Sequence, residues 1–115
     1  MASDCLFCRI VGGEIGSAKV YEDDEVFAFR DIAPRAPVHI LVIPKAHVRS
    51  LDEVGEHDER LVGRLLTTAA TIARDEGIAG TGYRVVTNIG RDGGQSVDHL
   101  HFHVMGGRAF AWPPG

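Results

Sequence analysis

The sequence predicts an α+β fold in which an antiparallel sheet of about five strands packs against one long helix, with a short helix near the N-terminus. Two patterns carry this prediction. Apolar residues recur at helical spacing over one stretch, residues 58–76. Elsewhere, short runs rich in Val, Ile, Phe and Tyr lie between turn residues, as strands do. We expect residues 1–115 to form one domain.

Composition argues against several classes of partner. The net charge is −4 and no arginine-rich run is present, so duplex nucleic acid is not an expected partner. No apolar run approaches the roughly 20 residues that span a bilayer. The first residues lack the basic and apolar regions of a signal peptide. We therefore expect a cytoplasmic protein with no membrane partner.

The first element is a short helix or turn that begins near Cys5 and ends at Gly12 and Gly13. It contains a Cys-x-x-Cys motif, Cys5 and Cys8, which by itself leaves open either a metal site or no function. In the expected compartment a structural disulfide is disfavoured. A thioredoxin-like redox motif is disfavoured as well, because no strand precedes these cysteines.

The first half of the sheet comprises three predicted strands. Residues 18–22 and 26–31 form a hairpin around an Asp-Asp turn, and residues 38–43 form a strongly apolar central strand. Asp31 ends the second strand, either as a solvated carboxylate or within reach of a ligand. His39 interrupts the central strand, where a single histidine is usually a hydrogen-bonded core residue.

The second half contains the long helix and the last two strands. The helix over residues 58–76 is assigned to packing and ends at Gly77, a suitable C-cap. Residues 82–89 form the fourth strand, and Asn88 lies near its end, a position typical of turn chemistry. A glycine-rich loop then makes a hairpin connection to the last strand.

The last strand carries three of the chain's six histidines, at every second position: His99, His101 and His103. Alternation places them on one face, with the intervening apolar residues on the other. Neighbouring histidines on one face of a strand lie roughly 6.5–7 Å apart. Three of them in a row are therefore awkwardly placed to bind a single ion. Distinct roles are therefore expected. The preceding Gly-Gly-Gln-Ser loop can present backbone N–H groups and a hydroxyl to an anion, which favours chemistry at phosphorus.

This stretch resembles the signature of the histidine triad (HIT) family, His-φ-His-φ-His-φ-φ with φ apolar. The ending Gly-Gly-Arg followed by Trp-Pro-Pro-Gly resembles that of the Hint branch, the nucleoside phosphoramidases. Further similarity over residues 28–32, 36–45 and 93–94 extends the match to nearly the whole chain. The resemblance implies a HIT-like fold and a homodimer with a continuous sheet or a helix-mediated interface.

The resemblance also implies hydrolysis of a P–N bond in a purine nucleoside phosphoramidate through a covalent nucleotidyl-histidine. His101 would attack the α-phosphorus while its other ring nitrogen donates to the His99 carbonyl. His103 would donate to a nonbridging phosphate oxygen. Ser96 would hydrogen-bond the leaving group, and His39 would support the triad.

The nucleotide-binding residues are likewise implied by the resemblance, for a purine nucleotide such as AMP or GMP, or adenosine. Asp31 would hold the ribose hydroxyls, since a carboxylate accepts two hydrogen bonds from a diol. Trp112 would reach the partner subunit's site and influence leaving-group preference. The remaining residues would line the base or the phosphate: Phe7, Ile10, Phe29, Ile32, Asn88, Gly94 and Gln95.

A structural zinc ion is the implied cofactor, because some HIT proteins bind zinc through two cysteines and two histidines. Its ligands here would be Cys5, Cys8, His47 and His99. Such a set completes tetrahedral coordination and leaves no open position. The spacing is not that of a zinc finger, so the site requires the two strand ends to meet the N-terminal segment.

Three alternatives remain open. One is a metalloenzyme that uses His-x-His as ligands, although the glutamate of the first cupin motif is missing. Another is a nucleotide-binding or scaffolding protein without catalysis. The third is a hydrolase of dinucleoside polyphosphates.

Overall fold

Five antiparallel strands in the order β1-β2-β3-β5-β4 form the sheet, in a computed structural model that describes residues 4–115. The strands are β1 (Lys19–Glu22), β2 (Val26–Arg30), β3 (Val38–Pro44), β4 (Tyr83–Val86) and β5 (Phe102–Gly106). The helices are α1 (Leu6–Val11), α2 (Glu59–Asp75) and α3 (Gly90–Gly93). The predicted fold class is thus confirmed, with a sheet, one long helix and a short N-terminal helix.

The two faces of the sheet bury two separate apolar clusters. α2 covers one face, where Leu65 and Ala69 pack against Val104 of β5. α1 covers the other face, where Phe7 and Ile10 join residues of β2 and β3. Each fully buried Val, Leu, Ile or Phe side chain in these clusters stabilises the fold by about 1.5–3 kcal/mol. Because strand side chains alternate, β2 and β3 contribute to both clusters.

The long helix ends where the sequence predicts. Gly77 follows α2 with φ +78, and its N–H donates to the Arg74 carbonyl at 3.1 Å. This left-handed conformation is open to glycine at no steric cost. The reversal returns the chain to Ile78, which is buried against the sheet. Within the part of the chain that is described, no helix is long and apolar enough to cross a membrane.

The triad segment departs from the predicted strand in its first half. β5 begins at Phe102, so His99 and His101 precede the sheet ladder. The Leu100 N–H donates to the Val48 carbonyl at 2.6 Å, and the Thr87 hydroxyl donates to the His101 carbonyl at 2.8 Å. These bonds take the place of a strand ladder. The predicted alternation is nevertheless correct, because Leu100 and Phe102 are buried in the α2-side core.

The connection between β4 and β5 is longer than the predicted hairpin. β4 stops at Val86, three residues before the predicted end at residue 89, and residues 87–101 contain α3. Hairpin loops are usually 2–5 residues long. The two strands are still antiparallel neighbours, with Val86 opposite His103. The long loop therefore lies beside the histidines and supplies Ser96 to them.

Candidate functional site

A cavity of 310 Å³ lies between α1, the end of β2 and the triad segment. Its apolar wall includes Phe7, Ile10, Phe29 and Leu41. Its polar lining includes Asp31, Ser96, His101 and His103. Ile32 also lines it and is 99% exposed. The apolar wall is thus suited to an apolar ring, and the polar groups are suited to hydroxyls and phosphate.

The position of the proton on His101 follows from its contacts. Its Nδ1 lies 2.7 Å from the His99 carbonyl oxygen. A carbonyl only accepts, so Nδ1 carries the proton and Nε2 keeps a lone pair. Phe7 packs edge-on against the ring at 5.1 Å between centroids. Burial lowers the pKa of His101, although its bond to the His99 carbonyl and the charge of Asp31 oppose the shift. The ring is therefore neutral at pH 7, with a free lone pair on Nε2.

Hydrogen bonds also determine which ring nitrogen carries the proton in His39 and in His103. The Arg35 backbone N–H donates to His39 Nδ1 at 3.0 Å, so the neutral His39 ring carries its proton on Nε2. His39 Nε2 donates in turn to His103 Nδ1 at 2.9 Å. The remaining proton of His103 is then on Nε2, available as a donor. We call His39, His101, His103 and Asp31 the reaction cluster.

His103 is held neutral at pH 7. Its pKa is lowered to about 4, mainly by burial and also by the neighbouring His101 and His39. Burial likewise lowers the pKa of His39. Asp31 opposes both shifts, because its negative charge favours the protonated rings. The reaction cluster thus offers one free lone pair and one neutral N–H donor.

Asp31 is the acidic member of this cluster. Its Oδ1 accepts the Ala33 N–H at 2.8 Å, and its Oδ2 lies 3.4 Å from His39 Nε2. Asp31, His39 and His103 are close enough to hold a metal ion, with ligand atoms within 4.8 Å. The proton positions argue against it, because His39 Nε2 carries a hydrogen while Nδ1 accepts from Arg35. These contacts instead describe a hydrogen-bonded chain.

A separate group, the metal cluster, comprises Cys5, Cys8, His47 and His99, whose ligand atoms lie within 4.8 Å of one another and could hold a metal ion. His99 Nδ1 is 3.3 Å from Cys5 Sγ and 3.5 Å from Cys8 Sγ, and His47 Nδ1 is 3.4 Å from Cys8 Sγ. Tetrahedral zinc with ordinary bond lengths places sulfur and nitrogen about 3.6 Å apart. The four residues therefore fit such an ion closely.

The chain brings these four residues together in the way the predicted site requires. Cys5 and Cys8 lie one helical turn apart at the start of α1, and the Cys8 N–H donates to Cys5 Sγ at 3.4 Å. His47 follows the end of β3. His99 is fully buried, and its Nε2 donates to the Pro44 carbonyl at 2.8 Å. Because that bond holds the proton on Nε2, Nδ1 presents its lone pair to the two sulfurs.

A bound cation would deprotonate the Cys8 thiol and convert it to a thiolate. Its pKa is raised to about 11, chiefly by burial and further by the neighbouring Cys5. A divalent cation reverses such a shift and deprotonates its thiol ligands. The donor set of two sulfurs and two imidazole nitrogens is one that zinc favours.

Gln95 is placed in the loop framework. Its amide nitrogen donates to the carbonyls of Arg49 at 2.7 Å and Val97 at 3.0 Å. Its amide oxygen accepts the Gly90 N–H at 3.0 Å. Gly94 has φ +80 and ends α3. These bonds fix the path of the loop that carries Ser96 to the cavity.

In the described part of the chain, Gly94 and Gln95 do not line the cavity, and neither do Asn88 and Trp112. Asn88 is half-buried in the segment that follows β4. Trp112 is 82% exposed on a tail that is held by Arg84, whose guanidinium donates to the Ala111 carbonyl at 2.9 Å. Their predicted contacts with a nucleotide, and those of Gly94 and Gln95, stay predictions.

Two functional groups were missed by the sequence reasoning. They are the Arg35 backbone N–H and the Pro44 carbonyl, which fix the protons of His39 and His99. Backbone groups carry no side-chain signature. Only the proximity of Arg35 to His39 in the chain could have indicated the first of them.

Comparison with known proteins places this site in a family. A family model described as HIT domain matches residues 12–110. A purine nucleoside phosphoramidase of Escherichia coli is 49% identical over 108 residues, which cover 94% of this chain and 91% of that protein. An uncharacterized HIT-like protein of Synechococcus elongatus is 52% identical over the full length of both chains. The crystal structure of a HIT family hydrolase from Legionella pneumophila has a TM-score of 0.95 at 47% identity, and the match covers 96% of this chain and 99% of that one.

Proposed function

Since this chain belongs to the HIT family, we propose that it is a hydrolase that cleaves the P–N bond of purine nucleoside phosphoramidates. The observation that carries the proposal is the free Nε2 lone pair of His101 at a cavity that also presents a neutral His103 donor. The name of the Escherichia coli relative supports the choice of substrate.

His101 carries out both covalent steps. In the first, its Nε2 attacks the α-phosphorus, a bond forms between phosphorus and Nε2, and the P–N bond to the amine breaks. Ser96 hydrogen-bonds the leaving amine, which takes a proton from solvent water and departs as the neutral amine; the proton that the attacking water gives up in the second step restores the balance. In the second, water attacks phosphorus, the phosphorus–His101 bond breaks, and a nucleoside monophosphate is released. His101 Nδ1 keeps its proton throughout and donates it in a hydrogen bond to the His99 carbonyl. This bond stabilises the positive charge of the nucleotidyl-imidazole intermediate.

His103 stabilises the charge that develops on phosphate. Its Nε2–H donates to a nonbridging oxygen, and its Nδ1 is held by His39. A donor already aimed at this position costs little reorganisation in the transition state. A neutral donor also remains in place over a wide pH range, because the pKa of His103 is about 4.

The nucleoside occupies the rest of the cavity. The base packs on Phe7, Ile10, Phe29 and Ile32, and the ribose hydroxyls donate to Asp31. Asn88, Gly94 and Gln95 serve the phosphate end through the loop that carries Ser96. The purine preference is thus assigned to the apolar wall, which is large enough for a planar bicyclic ring.

A structural zinc ion is proposed for the metal cluster. The ion would cross-link α1 to the end of β3 and to the triad segment, with no open position for water. Phe7 lies between the two cysteines in α1 and packs on both His99 and His101 at 5.9 Å and 5.1 Å between centroids. Fixing α1 would therefore shape the base pocket.

A homodimer is proposed as the active assembly. β4 is an edge strand, and Val85 on it is 37% exposed, which suits a sheet continued by a second copy. Trp112 would then reach the partner's site and influence the choice of leaving group. Light scattering at micromolar concentration measures the mass directly, and a monomer would contradict the proposal.

The test is a substrate panel with a trap for the intermediate. Adenosine and guanosine phosphoramidates and a dinucleoside polyphosphate are each mixed with the enzyme and quenched within milliseconds, and the protein is analysed by mass spectrometry. We expect turnover of the phosphoramidates and a nucleotidyl group on His101. Binding without turnover would favour a scaffold, and preferential cleavage of the polyphosphate would replace the proposed substrate.

A further inference from the structure

Asp31 contacts the imidazole chain as well as the cavity. We propose that Asp31 is a positioning residue: a ribose diol bound to its carboxylate directs the single His39 N–H onto His103. The enzyme would then select ribonucleoside over deoxyribonucleoside conjugates at the chemical step. The inference rests on the proposed function, which places the ribose at Asp31.

The His39 proton faces two competing acceptors. His103 Nδ1 lies 2.9 Å from His39 Nε2, and Asp31 Oδ2 lies 3.4 Å from the same nitrogen. Only one proton is present there, because His39 Nδ1 already accepts from Arg35. The shorter bond goes to His103, but the carboxylate carries a full negative charge, and charged acceptors make the stronger hydrogen bonds.

Burial makes this competition consequential. The His39 side chain is 3% exposed and the Asp31 side chain 19% exposed, so water screens the contact poorly. Asp31 cannot easily turn away, because its other oxygen accepts the Ala33 N–H at 2.8 Å. In the free enzyme the His39 N–H donates to His103, and the carboxylate of Asp31 competes with this bond and weakens it.

Two ribose hydroxyls would remove the competitor. They donate to Asp31, occupy its lone pairs and disperse its charge. The His39 N–H then belongs to His103 alone. His103 is held in one orientation, with its Nε2–H directed at the phosphate oxygen. Recognition of the sugar would in this way contribute to catalysis as well as to affinity.

The kinetic test compares ribo and 2′,3′-dideoxy versions of one adenosine phosphoramidate. We expect kcat at saturation to fall roughly tenfold or more for the dideoxy substrate, as for the loss of a hydrogen bond to a charged group. In Asp31→Ala the two substrates should have the same kcat. If Asp31 only anchors the sugar, the dideoxy substrate raises KM and leaves kcat unchanged, which would overturn the inference.

The choice of variants follows from the contacts. Asp31→Asn is unsuitable, because its amide N–H₂ would oppose either the Ala33 N–H or the His39 N–H. Ile32→Ala is the matched control, since Ile32 is the next residue and lines the same cavity with an apolar side chain. It should raise KM for both substrates and preserve their kcat ratio. A ratio that collapses in this control as well would contradict a specific role for Asp31.

A spectroscopic test needs no turnover, so it separates this inference from the proposed function. The imidazole ¹⁵N resonances of His39 and His103 are recorded with saturating adenosine and with 2′,3′-dideoxyadenosine. We expect adenosine to shift the His103 Nδ1 resonance, with dideoxyadenosine leaving it near its free value. Equal shifts, or none with adenosine bound, would refute the coupling even if the enzyme hydrolyses phosphoramidates.

Discussion

The triad segment supplies histidines to both the reaction cluster and the metal cluster, yet the two clusters are suited to opposite tasks. His99 donates from Nε2 to the Pro44 carbonyl and turns Nδ1 toward two thiols. His101, two residues later, donates from Nδ1 to the His99 carbonyl and keeps Nε2 free at the cavity. The backbone carbonyl facing each ring therefore decides whether it can act as a ligand or as a nucleophile.

The largest expected effect comes from removing the proposed nucleophile, His101. His101→Asn should lower kcat/KM for a phosphoramidate by about four orders of magnitude, because both covalent steps require its Nε2. Asparagine keeps a polar group near the His99 carbonyl, so the fold and any bound metal should be retained. Steady-state kinetics and elemental analysis check both statements. A variant with wild-type turnover would show that another group attacks phosphorus.

Removing the metal cluster should affect stability more than chemistry. Cys5→Ser combined with Cys8→Ser should abolish zinc binding and lower Tm by roughly 10 °C, because the proposed ion would cross-link three segments. We expect kcat to stay within about tenfold of wild type, since His101 keeps its carbonyl partner. Calorimetry, elemental analysis and kinetics measure the three effects. Well under one zinc per chain in wild-type protein purified without chelator would defeat the zinc proposal. Unchanged zinc in the double variant would identify the ligands as wrong.

The pH dependence of the free energy of unfolding tests whether burial keeps His103 of the reaction cluster neutral. The pKa of His103 falls from 6.5 in the unfolded chain to about 4 in the folded one, mainly through burial. The unfolded chain therefore binds more protons between these values, and stability is lost as pH falls from 6.5 toward 4. The loss from this residue should reach about 2–3 kcal/mol.

Urea unfolding of wild type and His103→Gln over this pH range isolates that contribution. Glutamine does not titrate, so the difference in unfolding free energy between the two proteins should change with pH by the stated amount. Both proteins keep the metal cluster, so its acid sensitivity cancels in the comparison. Parallel stability curves would mean that His103 titrates normally.

The smallest expected effect concerns the C-terminal tail, which neither cluster contains. Deletion of residues 111–115 should change the relative kcat/KM for different leaving groups by several-fold and change Tm by only a few degrees. The exposure of Trp112 in the single chain is the reason to expect little loss of stability. An unchanged substrate profile would count against a role for Trp112 in leaving-group preference.

The fold was predictable from the sequence because its signals are local. The apolar period of α2, the glycine that ends it and the alternation through Leu100, Phe102 and Val104 each depend on neighbouring residues. The start of β5 was not predictable, because the Val48 carbonyl that captures the Leu100 N–H comes from a distant loop. Alternation of side chains survives without a ladder, so the pattern could not locate the boundary.

The sequence and the resemblance identified the residues of the site better than the contacts between them. The four metal-cluster residues came from a resemblance, and their ligand atoms do lie together. The contact between Asp31 and His39 was not expected, since nothing in the sequence relates a strand-end carboxylate to a buried ring. Gln95 illustrates the converse, because the resemblance assigns it to the phosphate while its amide groups hold the loop.

The measurement that tests the central claim most directly is the tautomeric state of the histidines at pH 7, read from long-range ¹H–¹⁵N correlations of the imidazole rings. The division of labour predicts a proton on Nδ1 for His101 and on Nε2 for His39, His99 and His103. A His101 ring that carries its proton on Nε2, or a His99 ring that carries its proton on Nδ1, would contradict the account.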